Sequence, residues 1–276
     1  MDDHRPRPGP GSPSSAAYLF PRHPEEVDRL DLQHFALREA LGANFLAPVE
    51  APSRVLDVGT GTGQWGFEVC HRFPGALVVG FDLVRGKPRP PRGYRHVRGN
   101  LLQGLPFRDE SFDLVHQRFL TAGIPVAAWP RAVRELVRVT HPGGWVELTE
   151  SPLKGRRLGP VGERLADIVF RQVLAPIGLD TEGVVFRSLD GYLRQAGLEE
   201  VTRREVELPI GQWGGRVGAF MATDFRAAGL RIAESLQTRA PYLAEEAKEL
   251  LSLAMDELER HRTVASIVIT YGRKPT

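Results

Sequence analysis

A chain of 276 residues, 42% hydrophobic and 25% charged, can bury one substantial core, as a single large α/β domain or one domain with an appended lobe. Its net charge of +2 is too near balance to be an electrostatic footprint for nucleic acid, and its single cysteine, Cys70, excludes a disulfide-stapled scaffold. The longest apolar runs, such as Ala76 to Val79 or Val264 to Thr270, fall far short of a membrane span. MDDHRPRPGPGSPSS at the N-terminus lacks the apolar stretch of a signal peptide, so the expected location is cytoplasmic, with no membrane partner.

Residues 1–15, rich in Pro, Gly, Ser and Arg, are expected to form a disordered tail, with one domain over 16–276. Val27, Leu30, Leu37 and Leu41 recur at helical spacing with His34 in the same stripe, and Gly42 ends that helix, which gives an N-terminal helical segment over 16–46. Strands and helices then alternate: RVLDV, the helix GQWGFEVCHRF, ALVVGFD, YRHVRGN, the turn LPFRDES, FDLVHQ, the helix PRAVRELVRVT, the turn HPGG and WVELTE. Short apolar runs alternating with amphipathic helices predict a parallel sheet covered on both faces. After Ser151 the chain turns mostly helical, with VTRREVELPI and TVASIVITYGRK as two further strands. Residues 217, 221, 225, 228, 232 and 236 are apolar at helical spacing, and a second helix runs through Ala247, Leu251, Ala254 and Leu258. These two helices predict a helical insertion over 213–262, between the last two strands. The fold class is therefore α/β, a doubly wound, mostly parallel sheet of seven strands.

The segment RVLDVGTGTGQWG places Asp57 at a strand end and Gly59, Gly61 and Gly63 in the turn that follows. A dinucleotide fingerprint would need its third glycine at position 64, where Gln64 stands, and a P-loop would need Gly-Lys-Ser/Thr, so both are excluded by residue identity. Glycines at these positions let backbone approach a ligand closely. Asp57 can accept a hydrogen bond from an ammonium group. Asp82, at the tip of the second strand, can take both hydroxyls of a ribose, and Asn100 follows the next strand, where adenine contacts arise.

Together these residues resemble a class I S-adenosylmethionine-dependent methyltransferase, with a Rossmann-like fold. YLFPRHPEEVDRLDLQHF, VLDVGTGTGQW, VVGFDL, LPFRDESFDLVHQRFL, HPGGWVELTE, ELPIGQWG and ITYGRKP are similar, in order and spacing, to the LaeA-like branch, which includes methyltransferases of natural-product clusters. The resemblance covers Tyr18 to Pro275. It implies S-adenosyl-L-methionine as cofactor and S-adenosyl-L-homocysteine as product. It also implies that the N-terminal helix folds over the cofactor as a lid, bringing Tyr18, Arg29, Gln33 and His34 near it. Thr60, Leu83, Leu101, His116 and Gln117 complete the implied cofactor set, beside Asp57, Gly59, Gly61, Gly63, Asp82 and Asn100.

Methyl transfer is an in-line displacement that positioning and exclusion of water can accelerate, so few acid or base groups are required. If a base is used, His116 is the first candidate, since it ends the FDLV strand at the carboxyl edge of the sheet; the alternative is a histidine that bonds backbone or stacks near adenine. His34, on an apolar stripe, is a core histidine unless its helix closes over the cofactor. Glu147 and Glu150 lie in a strand expected to be buried on both faces. Glu150 is a candidate base or substrate contact, or else the partner of a neighbouring arginine. Trp213 begins the insertion and could line a pocket.

The basic stretch RGKPRPPRGYRHVR reads as a solvated loop, and HQRF stands where an Asn-Pro-Pro-Tyr acceptor motif would be, which together argue against a nucleic-acid substrate. No cluster of His, Cys, Asp and Glu has metal-ligand spacing, so a metal-independent enzyme is expected. The acceptor expected is the O or N of a small molecule, in secondary-metabolite biosynthesis. A protein methyltransferase, or a cofactor-binding regulatory protein that works through a protein partner, are the other readings. Both monomer and homodimer remain open.

Overall fold

A computed structural model describes residues 24–237 and 240–276; the expected tail over 1–15 and the candidate Tyr18 lie outside the described residues. The first helix, α1 (Pro24–Leu41), stops where Gly42 takes a φ of 68° and its amide closes on the Arg38 carbonyl at 2.9 Å. Then follow β1 (Arg54–Val58), α2 (Gln64–Arg72), β2 (Leu77–Asp82), β3 (Tyr94–Arg98), β4 (Phe112–Arg118), α3 (Trp129–Val139) and β5 (Thr140–Glu150). The rest comprises α4 (Gly159–Val169), α5 (Val184–Gln195), β6 (Glu199–Pro209), α6 (Gly215–Leu236), α7 (Pro241–Arg260) and β7 (Val264–Arg273).

All seven strands join one sheet in the order β3-β2-β1-β4-β5-β7-β6. The first five are parallel, while β7 runs antiparallel between β5 and β6. Strand order reverses between β1 and β4, and in doubly wound sheets the crevice at the strands' carboxyl ends opens at such a point. Both faces are covered, so β1 is buried at every residue but Arg54. On one face Leu56, Val58, Val115 and Leu148 pack with Val133 and Leu136 of α3. On the other, Val55, Val78 and Leu114 pack with Trp65 and Val69 of α2. Each fully buried leucine contributes about 2 kcal/mol from apolar area removed from water.

HPGG, which reads as a turn in the sequence, belongs to β5. The ladder shifts register between Phe112 and Leu114, and Gly143, at φ 79°, absorbs the irregularity. The chain end beyond β7 recruits it: Gly143 N donates to Lys274 O at 2.8 Å, and Lys274 N to Gly144 O at 2.9 Å.

As expected, α6 and α7 lie between the last two strands. They pack closely, for a Cβ at Gly229 of α6 would stand 2.7 Å from Leu251 Cδ1 of α7. Below them α4 continues into a π-helical turn, Phe170–Leu174, and an apolar cluster of Leu165, Ile168, Leu236, Ala247 and Leu251 joins the three helices. On its other side α6 packs against Ala36 and Leu37 of α1 through Met221 and Ala222. Among the described residues no helix is long and apolar enough to cross a membrane.

Candidate active site

A cavity of about 320 Å³ follows the carboxyl ends of the parallel strands, with α1, α6 and the end of α4 above it. Its wall is polar along the sheet edge and apolar beneath the helices. Gly59 and Gly61 form the turn after β1 at φ 71° and 59°, in the left-handed region that favours glycine. Gly59 N and Thr60 N both donate to Phe81 O, at 2.8 and 3.2 Å, which ties the turn to β2. A Cβ on Gly59 would stand 2.6 Å from Leu120 Cδ2, so backbone and a leucine side chain share a space that no other residue leaves open.

Asp82 stands on the wall at the end of β2. Its Oδ2 accepts from Gly61 N at 2.8 Å and its Oδ1 from Val84 N at 2.9 Å, so backbone fixes both oxygens in place. Leu83, Asn100 and Leu101 continue the wall. Asn100 also caps the short helical turn after it, where its Oδ1 accepts from Leu102 N at 2.9 Å. Arg29 and Gln33 reach the cavity from α1, and both bind Asp224 of α6, at 2.5 and 3.3 Å.

Asp57, His116, Gln117, Gly63 and His34, all expected in the site, stand off the cavity wall. Asp57 is buried below the turn, where its Oδ1 meets His116 Nδ1 at 2.8 Å and its Oδ2 accepts from Thr60 Oγ1 at 2.6 Å. Its carboxylate braces the turn and does not reach the cavity. His116 is not at the tip of its strand: β4 runs on to Arg118, and alternation turns the imidazole into the core against Trp65. Burial lowers its pKa despite the Asp57 carboxylate. Gln117, also fully buried, donates to Glu150 Oε1 at 3.4 Å and is absent from the wall. Gly63 starts α2 at φ 88° and accepts from Phe67 N at 2.9 Å. Trp213 also stays off the wall, where its indole donates to Ile210 O at 3.2 Å.

His34 is fully buried beneath α1. Arg118 Nη2 donates to its Nδ1 at 3.0 Å, which fixes the proton on Nε2, 3.1 Å from Glu68 Oε1. Burial, reinforced by Arg118, pushes this imidazole down to about 4, so it is neutral near pH 7. Glu150 does face the cavity, and its partners are backbone amides, not an arginine. It accepts from Leu120 N and Thr121 N at 3.0 Å each and from Thr121 Oγ1 at 2.7 Å. Burial pushes the carboxyl up to about 7 against those donors. Glu147 behaves alike on the other face, accepting from Leu46 N and Ala47 N at 2.7 and 2.6 Å.

Sequence reasoning missed Arg118, Asp224 and the cavity-facing use of α6. Met221, Phe225, Ala228 and Ile232 line the apolar wall from one face of that helix. Their helical spacing was visible in the sequence, but nothing there separates a stripe facing a cavity from one facing a core. In the basic stretch, Lys87 pairs with Asp31 of α1 and Arg98 donates to Leu83 O at 2.9 Å, so part of it fastens the loop to the fold. Among the described residues no three His, Cys, Asp or Glu side chains are grouped to hold a metal ion.

The wall fits the expected cofactor: the glycine turn offers backbone without side chains, and Asp82 offers two fixed acceptors for a vicinal diol beside the apolar Leu83 and Leu101. Comparison with known proteins agrees. A methyltransferase-domain family model matches residues 55–144. The N-methyltransferase sirN of Leptosphaeria maculans is 29% identical over 94% of this chain and 95% of its own length. The secondary metabolism regulator laeA of Aspergillus fumisynnematus is 30% identical over 71% of this chain, which spans only 54% of that protein. In structure, phosphoethanolamine N-methyltransferase 2 of Haemonchus contortus, solved with S-adenosylhomocysteine, shares the fold at 18% identity with a TM-score of 0.52, over 93% of this chain and 62% of that one. The chain belongs to the class I S-adenosylmethionine-dependent methyltransferases, in their LaeA-like branch.

Proposed function

We propose that the protein methylates an O or N atom of a small molecule held between the sheet edge and the helical cap, in secondary-metabolite biosynthesis. The observation that carries this reading is the two-sided cavity, whose polar wall follows the glycine turn and Asp82 while its apolar wall is the inner face of α6. A shaped apolar cover can bury a small acceptor and keep water from it. The similarity over nearly full length to sirN, named an N-methyltransferase, supports the same reading.

When bound, S-adenosylmethionine supplies an electrophilic methyl group on a sulfonium sulfur. The protein's part is then to fix both reactants in line. Asp82 would hold the ribose hydroxyls, the turn 59–62 would pass beneath the ligand, and Asn100 with Leu101 would flank the adenine. Glu150 would hold Leu120 and Thr121 between the two halves of the cavity through three of its four hydrogen bonds. Among the described residues the wall carries no histidine, so the chemistry assigned to the chain is alignment more than proton transfer.

Calorimetric titration with S-adenosylmethionine and S-adenosylhomocysteine, with Asp82→Ala alongside, tests the cofactor assignment. Micromolar binding lost in the variant is the expected result. Transfer of labelled methyl to a panel of metabolites, with a proteome extract as the rival acceptor, tests the acceptor class. Label found only in protein would overturn the small-molecule reading.

A further inference from the structure

Beneath the helices the cavity wall keeps apolar surface out of the core. Leu153, Val169, Phe170, Phe225, Ala228 and Ile232 all stand on this wall, and each is only half-buried. Two elements turn that surface inward. One stripe of α6 supplies Phe225, Ala228 and Ile232, while the wider π-helical turn Phe170–Leu174 at the end of α4 lets Val169, Phe170 and Leu174 share the wall. Apolar side chains left half-exposed on an inner face are completed by an apolar ligand.

The charges that border this half of the cavity are already matched among the described residues. Arg29 pairs with Asp224, Lys154 lies 2.6 Å from Glu163, and Glu150 accepts from Gln117, Leu120 and Thr121. Arg118 belongs to the polar edge instead. Val58 and Gln117 are register partners, so Arg118 stands beside Gly59 at the sheet end. A charged acceptor under α6 would therefore give up its hydration and meet no opposite charge in return, which is unfavourable in an apolar site.

We propose that the acceptor is a largely apolar molecule, uncharged near neutral pH, and that Ala228 sets its size. Ala228 is the smallest side chain of the α6 stripe and lies between Phe225 and Ile232, so the wall has most room there. Carboxylates, phosphates, amino acids and alkylamines carry charge near neutral pH and are rejected. Hydroxyls and weakly basic nitrogens on an apolar body are admitted. This assignment deepens the small-molecule reading and rests on it.

The test uses three fluorescent probes that share a naphthylamine body. N-phenylnaphthylamine is neutral, anilinonaphthalenesulfonate is its anionic counterpart, and naphthylethylenediamine carries an alkylammonium. With S-adenosylhomocysteine saturating, the neutral probe should bind, and both charged probes should bind about tenfold more weakly or worse. Ala228→Trp fills the wall, so it should abolish binding of the neutral probe and leave the Kd of S-adenosylhomocysteine within about twofold. A charged probe that binds as tightly as the neutral one, and is lost in Ala228→Trp, overturns the proposal and leaves the small-molecule reading standing. Neutral-probe binding that is absent, or unchanged in Ala228→Trp, also overturns it, and the metabolite panel then judges the reading alone. If Ala228→Trp does not fold, Ala228→Leu takes its place; a weakened neutral probe is then expected, and an unchanged one overturns the proposal. Methyl label found only in protein overturns the reading itself, and the assignment of the acceptor falls with it.

Discussion

The imidazole of His116 lies flat against the indole of Trp65, with ring centroids 3.8 Å apart and planes 3° from parallel, while its Nδ1 meets Asp57 Oδ1 at 2.8 Å. Asp57 in turn holds Thr60, so a stack in the core braces the turn that forms the cavity wall. His116→Phe preserves the stack and leaves one buried carboxylate oxygen without its partner, which should cost about 1–3 kcal/mol. Thermal denaturation should show this loss, and turnover per folded molecule should keep its pH profile. Disappearance of a limb that the wild-type profile shows would instead make His116 a proton carrier.

Gly59 tests the turn itself. Gly59→Ala demands a left-handed φ of an L residue and drives Cβ to 2.6 Å from Leu120 Cδ2. The backbone cost alone is about 1–2 kcal/mol, and Leu120 must move as well. The expected result is a raised Kd for S-adenosylhomocysteine with secondary structure intact by circular dichroism.

His34 makes stability depend on pH with a definite sign. Its folded pKa of about 4 lies below the ordinary 6.5, so below pH 6.5 the unfolded chain binds the proton more tightly. Stability from this group is therefore complete above 6.5 and is lost as pH falls toward 4, by about 3 kcal/mol in all. The geometry agrees, because protonation would remove the acceptor that Arg118 needs and set two cations together. Arg118, Glu68 and Asp31 are the charged groups that act on it. Denaturant melts from pH 7.5 to 4.5 should show a shallower acid loss in His34→Gln, whose amide oxygen can still accept from Arg118.

Arg29 and Asp224 fasten α1 to α6 through a buried ion pair. Removing Asp224 takes from buried Arg29 the carboxylate it pairs with, so Asp224→Ala should destabilise by about 3 kcal/mol and speed proteolysis within α1. Replacing both partners, as Arg29→Met with Asp224→Leu, should recover much of the loss. A double variant as weak as the single one would show that the pair is not what holds the helices together.

The sheet and its ligand edge were legible because β1, β2 and β4 each carry a short apolar run between turn residues, and because Gly59, Gly61 and Asp82 sit at strand ends, where position along the chain fixes position in space. Sequence could not tell which way a residue near a strand end points. His116 and Arg118 are two apart in one strand, and only where β4 stops decides which of them closes the wall. Nor could it reveal Asp224, whose partners Arg29 and Gln33 lie nearly two hundred residues away and meet it only after α1 and α6 pack.

Glu150 binds the loop at Leu120 and Thr121 that lines the cavity, and Phe119 just before that loop sits at a strained φ of 54°. Only a carboxylate can accept from Leu120 N, Thr121 N and Thr121 Oγ1 with two oxygens, so Glu150→Gln must abandon at least one of them. With Leu120 packed on Gly59, release of the loop should disturb the cofactor side as well as the acceptor side. The expected outcome is a tenfold to hundredfold fall in kcat/KM, roughly 1.4–2.8 kcal/mol, together with weaker binding of S-adenosylhomocysteine. A residue acting purely as a base would lower kcat and leave that affinity unchanged. Calorimetry on Glu150→Gln beside steady-state kinetics therefore separates the two roles, and an unchanged Kd with a collapsed kcat would return Glu150 to the place of general base.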